Sequence, residues 1–110
     1  MTTIEEETYW IRIYLSGRRD VIDQGCREFC EEGLCVTVES CKFIYTGGEE
    51  EGVVVGMVNY PKFPMTSDRL DEVARRLAEH LLCKSLQHSA LIVNREKSIH
   101  LQRRERRLGE

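Results

Sequence analysis

The side chains that could do chemistry in this 110-residue chain are its five cysteines, its three histidines and an arginine pair beside an aspartate. No CxxC spacing occurs among the cysteines, and an odd number cannot all pair within one chain. In a reducing compartment they are most simply small buried apolar side chains. A structural metal needs ligand clusters at compatible spacing, and no second cluster accompanies the pair His80 and Cys83. We therefore expect neither a metal nor a cofactor.

Residues for catalysis are equally scattered along the chain. His80, His88 and His100 have no nucleophile elbow, phosphate loop or metalloprotease motif beside them. The acidic residues near Asp20 and in the run 49–51 show no spacing typical of a paired general acid and base. From these absences we predict that the protein is not an enzyme.

Charge is unevenly distributed, although the net charge is only −3. Twelve acidic and five basic residues fall in 1–60, whereas seven acidic and eleven basic residues fall in 61–110. This pattern indicates either two solvated faces or a dipolar surface that steers a charged partner. The side chains that we predict for contact with a partner are Glu49, Glu50, Glu51, Arg103, Arg104, Arg106 and Arg107.

Hydrophobic periodicity places these residues on seven elements. The predicted strands are 8–15, 34–45, 53–60, 90–93 and 98–102, and the predicted helices are 19–32 and 67–84. Gly33 suits the C-terminal cap of the first helix, and Thr66 or Ser67 suits the N-terminal cap of the second. The apolar positions of the second strand change parity near Ser40, which predicts a β-bulge, and residues 47–52 read as a charged hairpin loop.

The order strand–helix–strand, hairpin, strand–helix–strand resembles the ferredoxin-like superfold over residues 8–93. The resemblance implies an α+β two-layer sandwich, with an antiparallel sheet in the order 4-1-3-2 and both helices on one face. We expect one domain, 1–110, with 94–102 supplying an extra C-terminal hairpin strand and 103–110 a basic tail. Many unrelated functions use this topology, so it implies no function by itself.

The sheet face away from the helices is predicted to be unusually apolar. Both parities of the third strand are apolar until Asn59, whereas a sheet with one wet face should alternate with polar residues. A second subunit, the C-terminal segment or a ligand should therefore cover this face. We favour a symmetric homodimer. The residues predicted for the dimer face are Trp10, Tyr14, Val54, Val58 and Tyr60.

RNA-recognition domains share this strand order, but their third strand carries a basic residue and two aromatic residues that stack on bases. Here Val53, Val55 and Met57 stand at those positions. We expect no nucleic acid partner on the sheet. Weak phosphate binding by the arginines of the tail stays open as an alternative.

Together these observations predict a non-catalytic, homodimeric binding or accessory module, of a kind compatible with a bacterial or phage protein. The first alternative is a regulatory domain similar to the amino-acid-binding ACT domains, which use the loop after their first strand. In that reading an amino acid or anion would bind at Ser16, Gly17, Arg18 and Arg19. No apolar run reaches the roughly 20 residues of a membrane helix. The acidic N-terminus lacks the features of a signal peptide, which predicts a cytoplasmic protein without membrane contact.

Overall fold

The computed structural model describes residues 1–30 and 34–103. The described residues form five strands and two helices, in the chain order β1, α1, β2, β3, α2, β4 and β5. The strands are β1 Trp10–Ser16, β2 Thr37–Tyr45, β3 Gly48–Val58, β4 Ser89–Asn94 and β5 Ser98–Gln102, and the helices are α1 Arg19–Phe29 and α2 Ser67–Ser85. No helix in the described ranges is long and apolar enough to span a membrane.

The strands form one antiparallel sheet in the order β2-β3-β1-β4-β5. This confirms the predicted α+β two-layer sandwich and its order 4-1-3-2. The extra C-terminal strand lies outside β4, where Ala90 pairs with Leu101.

Alternation along β1 separates the two faces of the sheet. Ile11, Ile13 and Leu15 are almost fully buried beneath the helices, whereas Trp10 and Tyr14 point to the helix-free face. Helix α2 contributes the longest apolar stripe to this core. The residues of that stripe are Leu70, Val73, Ala74, Leu77, Ala78, Leu81 and Leu82.

The helix ends differ in how well the sequence predicts them. Helix α2 begins as expected, because the Thr66 hydroxyl accepts a hydrogen bond from the Arg69 amide at 3.1 Å. Helix α1 ends at Phe29, three residues before its predicted end. The predicted cap Gly33 lies outside the described residues.

The β2–β3 hairpin corrects two predictions. Its register runs without interruption from Thr37 opposite Gly56 to Tyr45 opposite Gly48, so the predicted bulge is absent. The parity change occurs because Phe43 lies on the helix-free face, where its ring covers Gly52. The predicted loop 47–52 is also wrong, since β3 begins at Gly48 and the turn is only Thr46-Gly47, with Gly47 at φ +86°.

Helix α1 packs tightly against α2 at Gly25. A Cβ placed on this glycine would lie 2.7 Å from Leu81 Cδ2, and Leu81 is fully buried. The absence of a side chain at Gly25 therefore lets the two helices approach closely.

Candidate functional site

The loop after β1 borders a cleft, which we call the loop cleft. It encloses about 830 Å³, and the four predicted ligand residues, 16–19, all line it. Glu50 and Glu51 from β3, and Ser85 and Gln87 from the end of α2, line other parts of the same cleft. The structure thus brings the predicted loop residues together.

The arginines of the loop cleft already have partners within the chain. Arg18 donates through Nε and Nη2 to the two carboxylate oxygens of Asp20, at 3.1 and 2.8 Å. Arg19 donates to Asp23 Oδ1, to Ser40 Oγ and to the Val38 carbonyl, each at 3.0 Å. An incoming anion must displace these contacts.

The charge of the loop cleft also opposes an anion. Its lining contains two arginines and four carboxylates, those of Asp20, Asp23, Glu50 and Glu51. The Ser16 hydroxyl donates to Glu50 Oε1 at 2.5 Å, which fixes one of these carboxylates beside the loop. Binding of an amino acid or anion here stays a prediction, and the electrostatics of the cleft favour a cation.

A second cleft, which we call the sheet groove, crosses the helix-free face. It encloses about 460 Å³, and the five residues predicted for a dimer face all line it. Val58 and Tyr60 are 52% and 46% exposed, so the face is as apolar and uncovered as the parity of β3 indicates. Strand β5 pairs with the edge of β4 and leaves the groove open, so this C-terminal strand does not cover it.

The walls of the sheet groove combine aromatic rings with two charges. Register places Glu39, Val54 and Tyr14 in one row across β2, β3 and β1. The guanidinium carbon of Arg12 lies 5.3 Å from the centroid of the Trp10 ring. A large apolar surface with a few polar groups is typical of sites for small organic ligands, whose volumes run from about 300 to 1,000 Å³.

The floor of the groove is lowered at Gly56, between Arg12 and Thr37. A Cβ at this position would lie 2.6 Å from Thr37 Oγ1, so the Thr37 hydroxyl, which donates to the Gly56 carbonyl at 3.5 Å, occupies the space that a side chain here would need. Glycine at this position therefore lets Thr37 lie close against β3 in the groove.

A third feature, the Tyr9–Asp71–Asn94 network, was missed by the sequence analysis. The Tyr9 hydroxyl donates to Asp71 Oδ1 at 2.7 Å, and Asn94 Nδ2 donates to the same oxygen at 3.2 Å. Tyr9 and Asn94 are only 4% and 5% exposed. A polar residue at an inward position of β4 could have indicated this network, since Asn94 follows the inward-facing Ala90 and Ile92.

This network holds its phenol in the neutral form. Burial, supported by the hydrogen bond to Asp71, raises the pKa of Tyr9 to about 12. Asn94 Oδ1 accepts the backbone amides of Glu96 and Lys97, each at 2.8 Å. The network thus joins α2, β1 and the β4–β5 turn, and its phenol is a fixed donor and not a base.

The remaining chemistry-bearing side chains are dispersed. No cluster of three histidine, cysteine or acidic residues suited to a metal occurs in 1–30 and 34–103. Cys26 is buried as expected, but Cys35 and Cys83 are exposed, so the prediction of buried apolar cysteines fails for these two. His80 Nε2 lies 4.0 Å from Glu28 Oε2, and Lys84 Nζ approaches the other oxygen of that carboxylate at 2.7 Å.

The predicted partner contacts lie at two separate places. Glu49, Glu50 and Glu51 are exposed on the first residues of β3 and not on a loop. The Arg103 amide donates to the His88 carbonyl at 2.6 Å, which ties the start of the tail to the residue before β4. Arg104, Arg106 and Arg107 lie outside the described residues.

Comparison with known proteins finds a likeness in structure alone. No family model and no curated protein matches the sequence. A phage SAM lyase solved in complex with S-methyl-5'-thioadenosine matches with a TM-score of 0.73 and 11% identity, over 94% of this chain and 95% of the lyase. A phage SAM lyase in the apo state matches with a TM-score of 0.75 and 12% identity, over 90% and 92% of the two chains.

These matches overturn two predictions. The chain shares its fold, over nearly its whole length, with proteins described as lyases. The prediction of a non-catalytic binding module is therefore wrong, and so is the prediction that the protein is not an enzyme. Both depended on the absence of a familiar catalytic motif from the sequence. At 11–12% identity the likeness shows the shared fold and assigns no residue to a role.

Proposed function

We propose that this protein cleaves S-adenosylmethionine, releasing S-methyl-5'-thioadenosine, and that the sheet groove is its substrate site. The observation that carries the proposal is the shared architecture with the phage SAM lyases, one of which holds that nucleoside. The groove adds what the fold alone lacks, namely a surface on this chain suited to an adenosyl compound.

The sheet groove fits a nucleoside better than the loop cleft does. An adenine needs a flat apolar surface, and stacking on an aromatic side chain is worth about 1–3 kcal/mol per base. Trp10, Tyr14 and Tyr60 line the groove, whereas no aromatic residue lines the loop cleft. The substrate also carries a carboxylate, for which Arg12 is the guanidinium within the groove.

The bond to be broken joins the sulfonium sulfur to the γ-carbon of the methionine part. Its electron pair moves onto sulfur, so a cation becomes a neutral thioether that leaves without receiving a proton. The substrate's own carboxylate oxygen forms a bond to the γ-carbon as the bond to sulfur breaks, so the four-carbon amino acid leaves as a lactone and no proton is transferred. Charge on sulfur disappears in this step, so apolar walls such as Val54 and Val58 favour the transition state over the bound substrate.

This chemistry requires none of the familiar catalytic motifs. A neutral leaving group needs no general acid, and bond cleavage without water needs no activated nucleophile from the protein. Positioning the reacting atoms and excluding water are sufficient roles for the groove. Trp10 and Tyr14 supply the positioning surface in this proposal.

The experiment is incubation of purified protein with S-adenosylmethionine, followed by mass spectrometry for S-methyl-5'-thioadenosine. A sample without protein measures spontaneous breakdown. We expect formation above that background, and we expect Trp10→Ala to lower kcat/KM at least about five-fold, the lower end of one lost stacking contact. Tyr45→Ala is the matched control, since Tyr45 is an exposed aromatic residue on the hairpin and outside the groove. Product formation no faster than in the protein-free sample would contradict the proposal.

Self-association is a second proposal for the same face. Val58, Tyr60 and Phe63 are each at least 42% exposed, and the rings of Tyr60 and Phe63 stack at 6.3 Å. Burying this surface in a homodimer is favourable, but two sheets packed face to face would occupy the groove. Dimerisation through the face and nucleoside binding therefore compete, and an added adenosyl compound would shift a dimer toward the monomer. Cytoplasmic location and a protein partner for residues 49–51 stay predictions.

A further inference from the structure

We propose that Glu39 makes the sheet groove selective for a positive charge at the position of the sulfonium, so that the cationic substrate binds and the neutral thioether product leaves. This inference rests on the proposed site for S-adenosylmethionine. It assigns the specificity of that site to one carboxylate.

The position of Glu39 follows from the register of the sheet. Glu39 is the third residue of β2 and lies opposite Val54, which lies opposite Tyr14 on β1. Its neighbour Val38 packs against the core, so the Glu39 side chain is on the helix-free face and lines the groove. A carboxylate therefore lies in the same row as an aromatic ring.

The charge of Glu39 is not paired with any cation among residues 1–30 and 34–103. Other acidic residues of the same hairpin have partners: Glu50 accepts from Ser16, and Lys42 Nζ lies 3.8 Å from Glu49 and 3.9 Å from Glu51. Within the described part of the chain, no lysine, arginine or histidine forms an ion pair with Glu39. The groove's own cation, Arg12, is placed over the Trp10 ring.

A cation between Glu39 and the ring of Tyr14 gains from two sources. It is attracted by the carboxylate, and it is attracted by the negative face of the ring. Two unit charges 4 Å apart in bulk water correspond to about a five-fold gain in affinity, and apolar surroundings increase this factor. Cleavage removes the charge on sulfur, so both attractions end when the product forms.

The test compares ligands that differ in charge at one atom. Sinefungin carries an ammonium group where S-adenosylmethionine carries the sulfonium, whereas S-adenosylhomocysteine carries a neutral thioether. Calorimetric titration should show that Glu39→Gln weakens sinefungin about five-fold or more and changes S-adenosylhomocysteine less than two-fold. Glu39→Lys should weaken sinefungin further. Glu49→Gln removes the same charge from the hairpin outside the groove and should change neither affinity.

The outcomes separate this inference from the proposed function. Equal weakening of both ligands by Glu39→Gln, or no change in either, would overturn the inference while leaving cleavage of S-adenosylmethionine intact. Charge-selective binding that depends on Glu39, without any cleavage, would support the inference and refute the proposed function. Absence of both binding and cleavage would refute the two together.

Discussion

The Tyr9–Asp71–Asn94 network makes a sharp prediction about stability, because one oxygen serves two buried donors. In Asp71→Ala, the Tyr9 hydroxyl and Asn94 Nδ2 both lose their acceptor, Asp71 Oδ1. Each unsatisfied buried donor costs about 1–3 kcal/mol, so we expect a loss of about 4 kcal/mol in the free energy of unfolding. In Tyr9→Phe the ring stays and Asp71 keeps Asn94, so we expect a loss of about 1.5–2 kcal/mol.

Urea unfolding followed by the fluorescence of Trp10, the single tryptophan, measures both variants. Asp71→Asn is the control for shape, since its amide oxygen can still accept from both donors without carrying a charge, and its loss should be smaller than that of Asp71→Ala. Equal losses in Tyr9→Phe and Asp71→Ala would refute the argument that stranded donors dominate.

The same network predicts how stability depends on pH above neutrality. The pKa of Tyr9 is about 12 in the folded protein against 10.0 for a free phenol. The folded state thus retains a proton that the unfolded chain loses first. The contribution of Tyr9 is complete below pH 10 and declines as pH rises toward 12. With rising pH, Tyr9→Phe should therefore lose less stability than the parent protein does. An identical loss of stability in the two proteins would refute the role of Tyr9.

Three further predictions concern packing, thiols and assembly. Gly25→Val should lower the free energy of unfolding by about 1–3 kcal/mol, since the valine side chain would collide with Leu81. Chemical denaturation measures this loss. An unchanged midpoint would contradict the close contact between the helices. Iodoacetamide should label the exposed Cys35 and Cys83 first and Cys26 last, because burial raises the pKa of the Cys26 thiol to about 11. Mass spectrometry at successive times measures this order. Early labelling of Cys26 would show that α1 does not protect it. Light scattering at micromolar concentration should give twice the monomer mass if the helix-free face self-associates, and a monomeric mass would count against the homodimer.

The topology was predictable because local patterns agreed with one another. Alternation from Tyr9 to Leu15 specifies which side of β1 is buried, and the stripe from Leu70 to Leu81 specifies the face of α2. Once these elements and their order are known, right-handed connections leave few arrangements of the sheet.

The errors arose where tertiary contacts decide the structure. The apolar parity of Cys41 and Phe43 predicted a bulge, but it reflects a ring packed over Gly52 across the hairpin. The partners of Asn94 are distant in sequence, since Asp71 is 23 residues away. Periodicity reports which side of an element is buried and contains no information about such pairs.

The site was only partly predictable for a related reason. The apolar face containing Trp10, Tyr14 and Val58 was evident from parity, and a ligand was one of its three predicted covers. The isolation of Glu39 from any described cation became visible only with the register and ion pairs of the whole sheet. The proposed cleavage needs a shaped surface more than a motif, so under that proposal the absence of a motif is weak evidence against catalysis.

The most direct measurement is the rate at which purified protein converts S-adenosylmethionine, compared in the parent chain, Trp10→Ala and Tyr45→Ala. The account predicts S-methyl-5'-thioadenosine formation above the protein-free rate, a marked loss in Trp10→Ala and an unchanged rate in Tyr45→Ala. A folded protein that yields no more product than the protein-free sample would contradict the proposed activity, and an active Trp10→Ala variant would place the site outside the sheet groove.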